Sequence, residues 1–308
     1  AAKPEAVTCR RHRPPLLRSE KPTDAEAASN QRISCINESL VLILQKNTPM
    51  KDVEIERTGI VIIEWLRPED PKLGQELYND IKYKESEDGS YFVTLYSVSN
   101  KVEFTNTLQK IIDSIEEGTL LTLHIVAHGC EDGLGTDLGN FVDWKELFSY
   151  TRQLNIILQN TLLLVLSSCV GGGILSYIEP EKRAPYMAFI ANTRSVLIKD
   201  ARKGFPLFYK DYRTPLDFYE ALLRLNESID FTEEVEPGVK KTEFFIMSAS
   251  DTFDEVFNPD RDIKHFNSVI DKIMPPNPLI PQELRQKKAR ELFIAEGKRL
   301  KPYFMFQK

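Results

Sequence analysis

The sequence predicts an α/β domain built on a mostly parallel sheet. Three observations support this prediction. Short apolar runs of strand length recur along the chain, segments with helical spacing of apolar residues lie between them, and the two most apolar runs each end in a polar side chain beside glycine. Strands that alternate with helices favour a parallel sheet with right-handed crossovers and helices on both faces.

The predicted strands are short runs rich in apolar residues, which is typical of strands buried on both faces. They are Leu40–Leu44, Lys51–Arg57, Thr58–Leu66, Tyr91–Val98, Leu120–Ala127, Leu162–Leu166, Tyr186–Asn192 and Thr242–Ser248. Lys51–Arg57 alternates apolar with acidic residues and is therefore predicted as an edge strand.

The predicted helices have apolar residues three and four positions apart, and several are bounded by glycine or proline. They are Leu73–Ile81, Val102–Ile115, Val142–Leu154, Gly204–Tyr212, Leu216–Leu225 and Gln282–Glu296. Glu131–Thr136 has the composition of a loop or hairpin, and Asn192–Phe205 is interpreted as a charged loop.

The elements divide the chain into three parts. Residues 1–36 lack periodicity and are predicted to be a flexible tail or prodomain, residues 37–274 a single α/β domain, and residues 275–308 an extension with one helix. The helix is expected to pack on the domain or on an attached region. The termini are candidates for contact with a regulatory partner or an attached domain.

Composition excludes several classes of protein. The 308 residues carry a net charge of −6, which argues against bulk binding to nucleic acid because it repels phosphate. No apolar run approaches the roughly 18 residues that a membrane span needs, and the N-terminus lacks the order of a signal peptide. Four cysteines are too few for a disulfide scaffold. We therefore expect a cytoplasmic protein that does not bind membranes.

Two peptides whose final reactive residues are 41 positions apart carry the functional signal. Leu121–Gly129 is an apolar run that ends in His128-Gly129, and Leu162–Gly173 is an apolar run that continues into Ser-Ser-Cys169-Val-Gly-Gly-Gly. The carboxyl ends of adjacent parallel strands lie along one edge of a sheet. We therefore expect His128 and Cys169 to face each other across that edge.

A cysteine paired with a histidine can act as a nucleophile. The thiolate is the reactive form, and its ordinary pKa of about 8.5 leaves little of it at neutral pH. The imidazole of His128 can take the proton, or it can stand as imidazolium beside a preformed thiolate, and it can later protonate a leaving amine. The backbone N–H groups of Gly129 and Cys169 are predicted to form an oxyanion hole.

A strand followed by His-Gly, and some 40 residues later a strand followed by Ser-Cys-Val-Gly-Gly, resembles the caspase-type cysteine peptidases. That superfamily includes caspases, metacaspases, separases and bacterial CHAT-domain proteases. The order of elements from Thr58 to Ser248 is also similar, so the resemblance covers about 190 residues. It departs at Ser167, where many members have an acidic residue or glutamine, and the signature Gln-Ala-Cys-Arg-Gly is absent.

The resemblance implies a caspase-like three-layer α/β/α sandwich around a mostly parallel sheet. It also implies a regulated, sequence-specific cysteine endopeptidase that uses a dyad of His128 and Cys169 without a metal or cofactor. Its substrate would be a protein, and a role in bacterial antiviral immunity or cell-death signalling, through proteolytic activation of a partner, is suggested.

Substrate preference is open at this stage. In the superfamily that the chain resembles, the loop after the next strand helps to bind the residue before the scissile bond. One register of Asn192–Phe205 places Asp200 in that pocket and selects arginine or lysine. Another places Lys199 or Arg202 there and selects aspartate. An apolar preference, or a loop that is simply solvated, stays open as well.

Two further hypotheses compete with the peptidase. The first is a catalytically silent caspase-like scaffold or interaction module, against which the intact His128 and Cys169 count. The second is another hydrolase on a doubly wound sheet, which would normally show a Gly-x-Ser-x-Gly elbow. His124 is predicted to be a core histidine because residues four apart on a strand lie about 13 Å apart, which argues against a zinc site that includes His128 and Cys130.

Overall fold

The structure is a computed structural model that describes residues 54–137, 139–212, 218–259 and 281–307. Eleven strands are described: β1 (Arg57–Trp65), β2 (Tyr91–Ser97), β3 (Thr119–Ala127), β4 (Gly129–Cys130), β5 (Gly133–Asp137), β6 (Asn140–Asp143), β7 (Leu162–Ser167), β8 (Ala188–Asn192), β9 (Glu234–Glu236), β10 (Val239–Lys240) and β11 (Phe244–Ser248). The described α-helices are α1 (Leu73–Ile81), α2 (Lys101–Ser114), α3 (Trp144–Ile157), α4 (Ile198–Asp211), α5 (Phe218–Glu227), α6 (Ala249–Val256) and α7 (Gln282–Phe304). A 3₁₀ segment covers Gly171–Tyr177.

Six of the strands form the central sheet, in the order β11-β8-β7-β3-β1-β2. Neighbours from β8 to β2 are parallel, and only β11 runs antiparallel, against β8. The chain passes from β1 outward to β2 and then returns to the other side of β1 to form β3. The order of strands therefore reverses between β1 and β3, and a crevice opens beside such a reversal at the carboxyl ends of the strands.

Helices cover both faces of the sheet because alternate residues of each buried strand point to opposite faces. On one face, Val61, Leu123 and Leu164 join a core that includes residues of α2 and α3. On the other face, Ile62 and Val165 join a second core that includes residues of α1, α4 and α5. The mixed α/β architecture with a mostly parallel sheet is thus as the sequence predicts.

Element positions agree with the predictions in most cases. β1, β2, β3, β7, β8 and β11 lie within the predicted runs or within two residues of their ends, and α1 has the predicted bounds. Leu40–Leu44 lies outside the described residues. The predicted edge strand Lys51–Arg57 is wrong where it can be checked, because residues 54–56 are not in a strand and β1 begins at Arg57. The predicted loop or hairpin at Glu131–Thr136 is a small antiparallel sheet of β4, β5 and β6.

One prediction needs a larger correction. Asn192–Phe205 is not a loop throughout, because α4 begins at Ile198 and includes the second half of the segment. Ala201 and Phe205 are buried on the face of this helix that packs on the sheet. Charged residues on the outer face disguise the helical spacing of these apolar positions in the sequence.

The C-terminal helix packs on the domain through its last turn. α7 is longer than the predicted Gln282–Glu296 and ends in Phe304, which is fully buried in the main core, with Met305 beside it. The N–H of Ala184 donates to the carbonyl of Phe304 at 3.0 Å, and the Arg183 guanidinium lies over the Tyr303 ring. None of the helices in the described ranges has both the length and the apolar character to cross a bilayer.

Candidate active site

The candidate site lies at the carboxyl edge of the central sheet. The segments that leave β1, β3, β7 and β8 all contribute residues to one pocket there. This is the edge beside the reversal of strand order, where ligands collect in open α/β sheets. Both sequence-predicted catalytic residues, His128 and Cys169, line this pocket.

Strand register explains why the two residues lie at the same edge of the sheet. In the parallel pairing of β3 with β7, Val126 is opposite Ser167. His128 and Cys169 each follow their member of that pair by two residues. The two segments that follow β3 and β7 therefore leave the sheet side by side, which places the imidazole and the thiol at the same edge of the sheet.

The glycine after the histidine lets the two segments touch. A Cβ atom at Gly129 would lie far inside van der Waals contact with the Cys169 carbonyl oxygen, and about 3.0 Å from the Ser168 Cβ. Gly173 is similar, since a Cβ there would lie 2.7 Å from the Glu131 carbonyl. The structure shows that these two glycines leave room for one another's segments.

The turn that presents Cys169 is strained. Val170, the next residue, has φ of 55° and ψ of 26°, a left-handed conformation that a β-branched side chain rarely adopts. Such a residue costs on the order of 1–3 kcal/mol and persists only where its surroundings fix it. The Val170 N–H donates to the Arg194 carbonyl at 2.9 Å, and its carbonyl accepts from the Gly173 N–H at 3.0 Å.

A carboxylate that the sequence analysis missed holds the histidine. Asp70 Oδ2 lies 2.6 Å from Nε2 of His128, whose side chain is almost fully buried. The short contact places the proton on Nε2, because a carboxylate oxygen accepts hydrogen bonds. Nδ1 then carries the basic lone pair. It is buried and has no hydrogen-bond partner among the described residues.

Asp70 is itself fixed in place. Its Oδ2 also accepts the backbone N–H of Arg67 at 2.8 Å, and the Arg67 guanidinium donates to the Thr136 carbonyl at 2.9 Å. The buried Glu64, near the end of β1, accepts the N–H of Gly74 at 2.7 Å and so caps the start of α1. The segment between β1 and α1 is therefore held at both ends, with Asp70 in the middle.

The sulfur of Cys169 is covered by the segment between β8 and α4. The residue is 6% exposed, and its Sγ accepts the N–H of Val196 at 3.4 Å. Burial raises the pKa of the Cys169 thiol above its ordinary value, and hydrogen bonds from Val196 and Ser195 act in the opposite direction without cancelling the effect of burial. Burial therefore favours the neutral thiol over the thiolate.

The three predicted substrate-binding residues lie on α4, outside the pocket lining. Asp200 is buried in an ion pair with Lys241 at 2.9 Å, and Lys241 also contacts Glu233. Lys199 pairs with Glu233. Arg202 makes a two-point contact with Glu76, at 2.6 and 3.1 Å. Ile198 and Ala201 are the residues of α4 that line the pocket.

The local hydrogen bonds are consistent with Gly129 as one of the two predicted oxyanion donors. Gly129 is paired with Leu134, and the N–H of Gly135 donates to the His128 carbonyl at 3.0 Å. This pattern makes Gly129 and Leu134 a non-hydrogen-bonded pair of the antiparallel ladder, so the Gly129 N–H points away from β5. Cys169 begins the turn that follows β7.

The remaining histidines and cysteines take no part in the site as far as they are described. His124 is fully buried, its Nδ1 bonds the Tyr209 hydroxyl at 2.9 Å, and burial lowers its pKa to about 3, so it is the core histidine that was predicted. Cys130 is half-buried and unpaired by a disulfide. Within the described ranges no group of three His, Cys, Asp or Glu could hold a metal ion.

One signal could have identified Asp70 from the sequence. It lies between two prolines in the segment that follows a mostly apolar strand, and that is a position where polar side chains reach the same sheet edge.

Comparison with protein-family models gives no match to this chain, and comparison with curated proteins gives no significant match.

Proposed function

We propose that the chain is a cysteine peptidase of the caspase-like type, with a three-layer sandwich as its fold and a protein as its substrate. The observation that carries the proposal is that His128 and Cys169, delivered by adjacent parallel strands, line one pocket with Asp70 hydrogen-bonded to the histidine. Nucleophile, base and orienting group are the three parts of this kind of catalysis.

Each group has a step in the proposed reaction. Asp70 keeps the proton on Nε2 of His128, so Nδ1 accepts the proton of the Cys169 thiol as the sulfur attacks the peptide carbonyl. The N–H groups of Gly129 and Cys169 stabilise the oxyanion. The imidazolium then protonates the leaving amine, which departs and leaves a thioester. Water, deprotonated by the same imidazole, hydrolyses the thioester and restores the thiol.

The first test is a panel of fluorogenic peptides that differ in the residue before the cleaved bond. The wild-type protein should cleave at least one of them, and Cys169→Ala and His128→Ala should each lose about 10³-fold or more in rate, since nucleophile and base act as a unit. Cys130→Ala is the matched control, because it removes a thiol two residues after His128 and should retain activity. Equal cleavage by wild type and Cys169→Ala would refute the mechanism.

The alternative is a catalytically silent scaffold of the same fold. The observation that favours it is the burial of the Cys169 sulfur beneath the Val196 segment. A thiol-directed peptide probe separates the two functions, because a peptidase should be labelled at Cys169 far faster than its His128→Ala variant. In a scaffold the two rates would be equal.

A further inference from the structure

The walls of the catalytic pocket are aliphatic. Five parts of the fold supply them: Leu66 after β1, Leu73 at the start of α1, Val126 at the end of β3, Val196 after β8, and Ile198 and Ala201 on α4. All of these side chains except Ile198 belong to or pack against the second core, so the pocket is a continuation of that apolar layer. A charged group placed against such walls loses its hydration without gaining a partner.

Two carboxylates near the pocket, those of Asp70 and Asp200, are already paired. Among the described residues that line the pocket, Asp70 is the only acidic one, and its Oδ2 binds both His128 and the Arg67 N–H. On α4, Asp200 is neutralised by Lys241, whose side chain is 3% exposed. The described residues of the lining include no lysine or arginine. A basic or an acidic substrate side chain would therefore find no unpaired counter-charge among the described lining residues.

Position identifies which part of the substrate the pocket receives. In the proposed reaction the sulfur bonds to the carbonyl carbon of the residue before the cleaved bond. Only the Cα atom separates this carbon from the side chain of that residue. Because Cys169 and His128 form part of the pocket wall, this side chain is the one that can enter.

Building on the peptidase function proposed above, we propose that the pocket selects an aliphatic residue, such as leucine or valine, before the scissile bond. Arginine, lysine and aspartate are disfavoured there. The specificity is set by Ile198 and Ala201 of α4 together with Leu66 and Val196, and not by Asp200, Lys199 or Arg202.

The test uses three tripeptidyl acyloxymethyl ketones that differ only in having leucine, arginine or aspartate next to the warhead. The Cys169 sulfur displaces the carboxylate leaving group and forms a thioether, which intact mass and peptide mapping detect. We expect the leucine probe to label Cys169 at least about tenfold faster than the other two, the scale on which apolar pockets discriminate. Faster labelling by the arginine or the aspartate probe would overturn the aliphatic specificity and leave the peptidase standing.

The outcome is distinct if the peptidase function itself fails. All three probes would then label Cys169 slowly and at the rate seen for His128→Ala. That result would refute the proposed specificity together with the peptidase function. A ratio between probes is independent of how much of a variant folds, so the variants below are compared by that ratio.

Two variants locate the specificity within the pocket. Ile198→Asp places a carboxylate in the wall at the first residue of α4, where the helix dipole favours an acidic group. It should raise the ratio of arginine to leucine labelling by about tenfold or more. Asp200→Asn is the matched control, and it should leave that ratio within about twofold of wild type. A ratio that falls in Asp200→Asn and does not change in Ile198→Asp would assign the specificity to Asp200.

Discussion

At the scale of single residues, the proposed mechanism requires a base that removes a proton from a buried thiol. Burial raises the pKa of Cys169, and the hydrogen bonds from Val196 and Ser195 only reduce that rise. A preformed thiolate beside an imidazolium is therefore disfavoured. The structure favours the other arrangement, in which neutral imidazole takes the proton during the attack.

This difference predicts the pH dependence of alkylation at Cys169. Because the folded protein favours the thiol, the rate of reaction with iodoacetamide should be low at neutral pH and should rise to a midpoint above the roughly 8.5 of a free cysteine. Peptide mapping isolates Cys169 from the other thiols, and the urea-unfolded chain supplies the reference curve. A midpoint below about 7 would show instead that the ion pair exists before substrate binds.

Asp70 has a positioning role that can be tested separately. In Asp70→Asn the amide can donate to Nε2 of His128, which places the ring proton on Nδ1 and removes the base. We expect kcat to fall by roughly 10²–10⁴-fold with KM little changed, as for the comparable change in serine triads. Asp113→Asn, on the exposed face of α2, is the control and should behave as wild type. A fall confined to KM would argue for a role in binding.

The sequence predicts His128 and Cys169 because each is a reactive side chain at the end of a long apolar run. It does not single out Asp70, because Glu69 lies between the same two prolines and Arg67 is a further charged residue of the segment. The choice among them depends on the side-chain directions in the segment, which the contacts of Arg67 with Asp70 and Thr136 determine. The longer of these contacts joins residues that are 69 positions apart, and such contacts produce no periodic pattern in the sequence.

At the scale of elements, the site depends on two segments that pack closely after β3 and β7. Gly129→Ala places a methyl group against the Cys169 carbonyl, which is backbone and must shift as a whole. We expect a loss of about 1–3 kcal/mol in the free energy of unfolding, measured with urea, together with reduced labelling of Cys169.

Gly139→Ala is the control for that substitution. Gly139 lies in the turn before β6, and a Cβ there would meet only the Asp137 side chain, at 3.4 Å. Its unfolding free energy should stay within about 0.5 kcal/mol of wild type. If Gly129→Ala were equally harmless, the close packing of the two segments would not be required.

Strands and helices differ in how well the sequence predicts them. Buried parallel strands such as β3 and β7 are mostly apolar and buried at every position, so the sequence predicts their bounds within one or two residues. The first turns of α4 contain several charged residues, and only a few apolar residues, including Ala201 and Phe205, mark the face that packs on the sheet. The position at which this helix starts determines whether Asp200 faces the substrate or Lys241. The predicted substrate pocket therefore depended on α4, the helix whose start the sequence predicts least accurately.

At the scale of the whole molecule, the order of strands assembles the site. Asp70 and His128 are 58 residues apart and separated in sequence by β2, yet they touch because β3 returns to lie beside β1. The sequence predicts a parallel sheet but not the order of its strands. That order depends on the two cores on the faces of the sheet, which consist of contacts between segments distant in the sequence. The same order places the aliphatic walls of the pocket next to the second core.

The C-terminal helix is part of that assembly, and a single buried side chain tests it. Phe304 is fully buried against Phe253, with ring centroids 5.1 Å apart, so Phe304→Ala should lower the free energy of unfolding by about 3–5 kcal/mol. Leu284→Ala, at a position 58% exposed near the start of the same helix, should change it by less than about 0.5 kcal/mol. Urea unfolding followed by tryptophan fluorescence reports both, since Trp65 and Trp144 lie in the core that Phe304 joins. Equal, small effects of the two substitutions would mean that residues 281–307 fold apart from the sheet, contrary to the contacts of Phe304 and Met305.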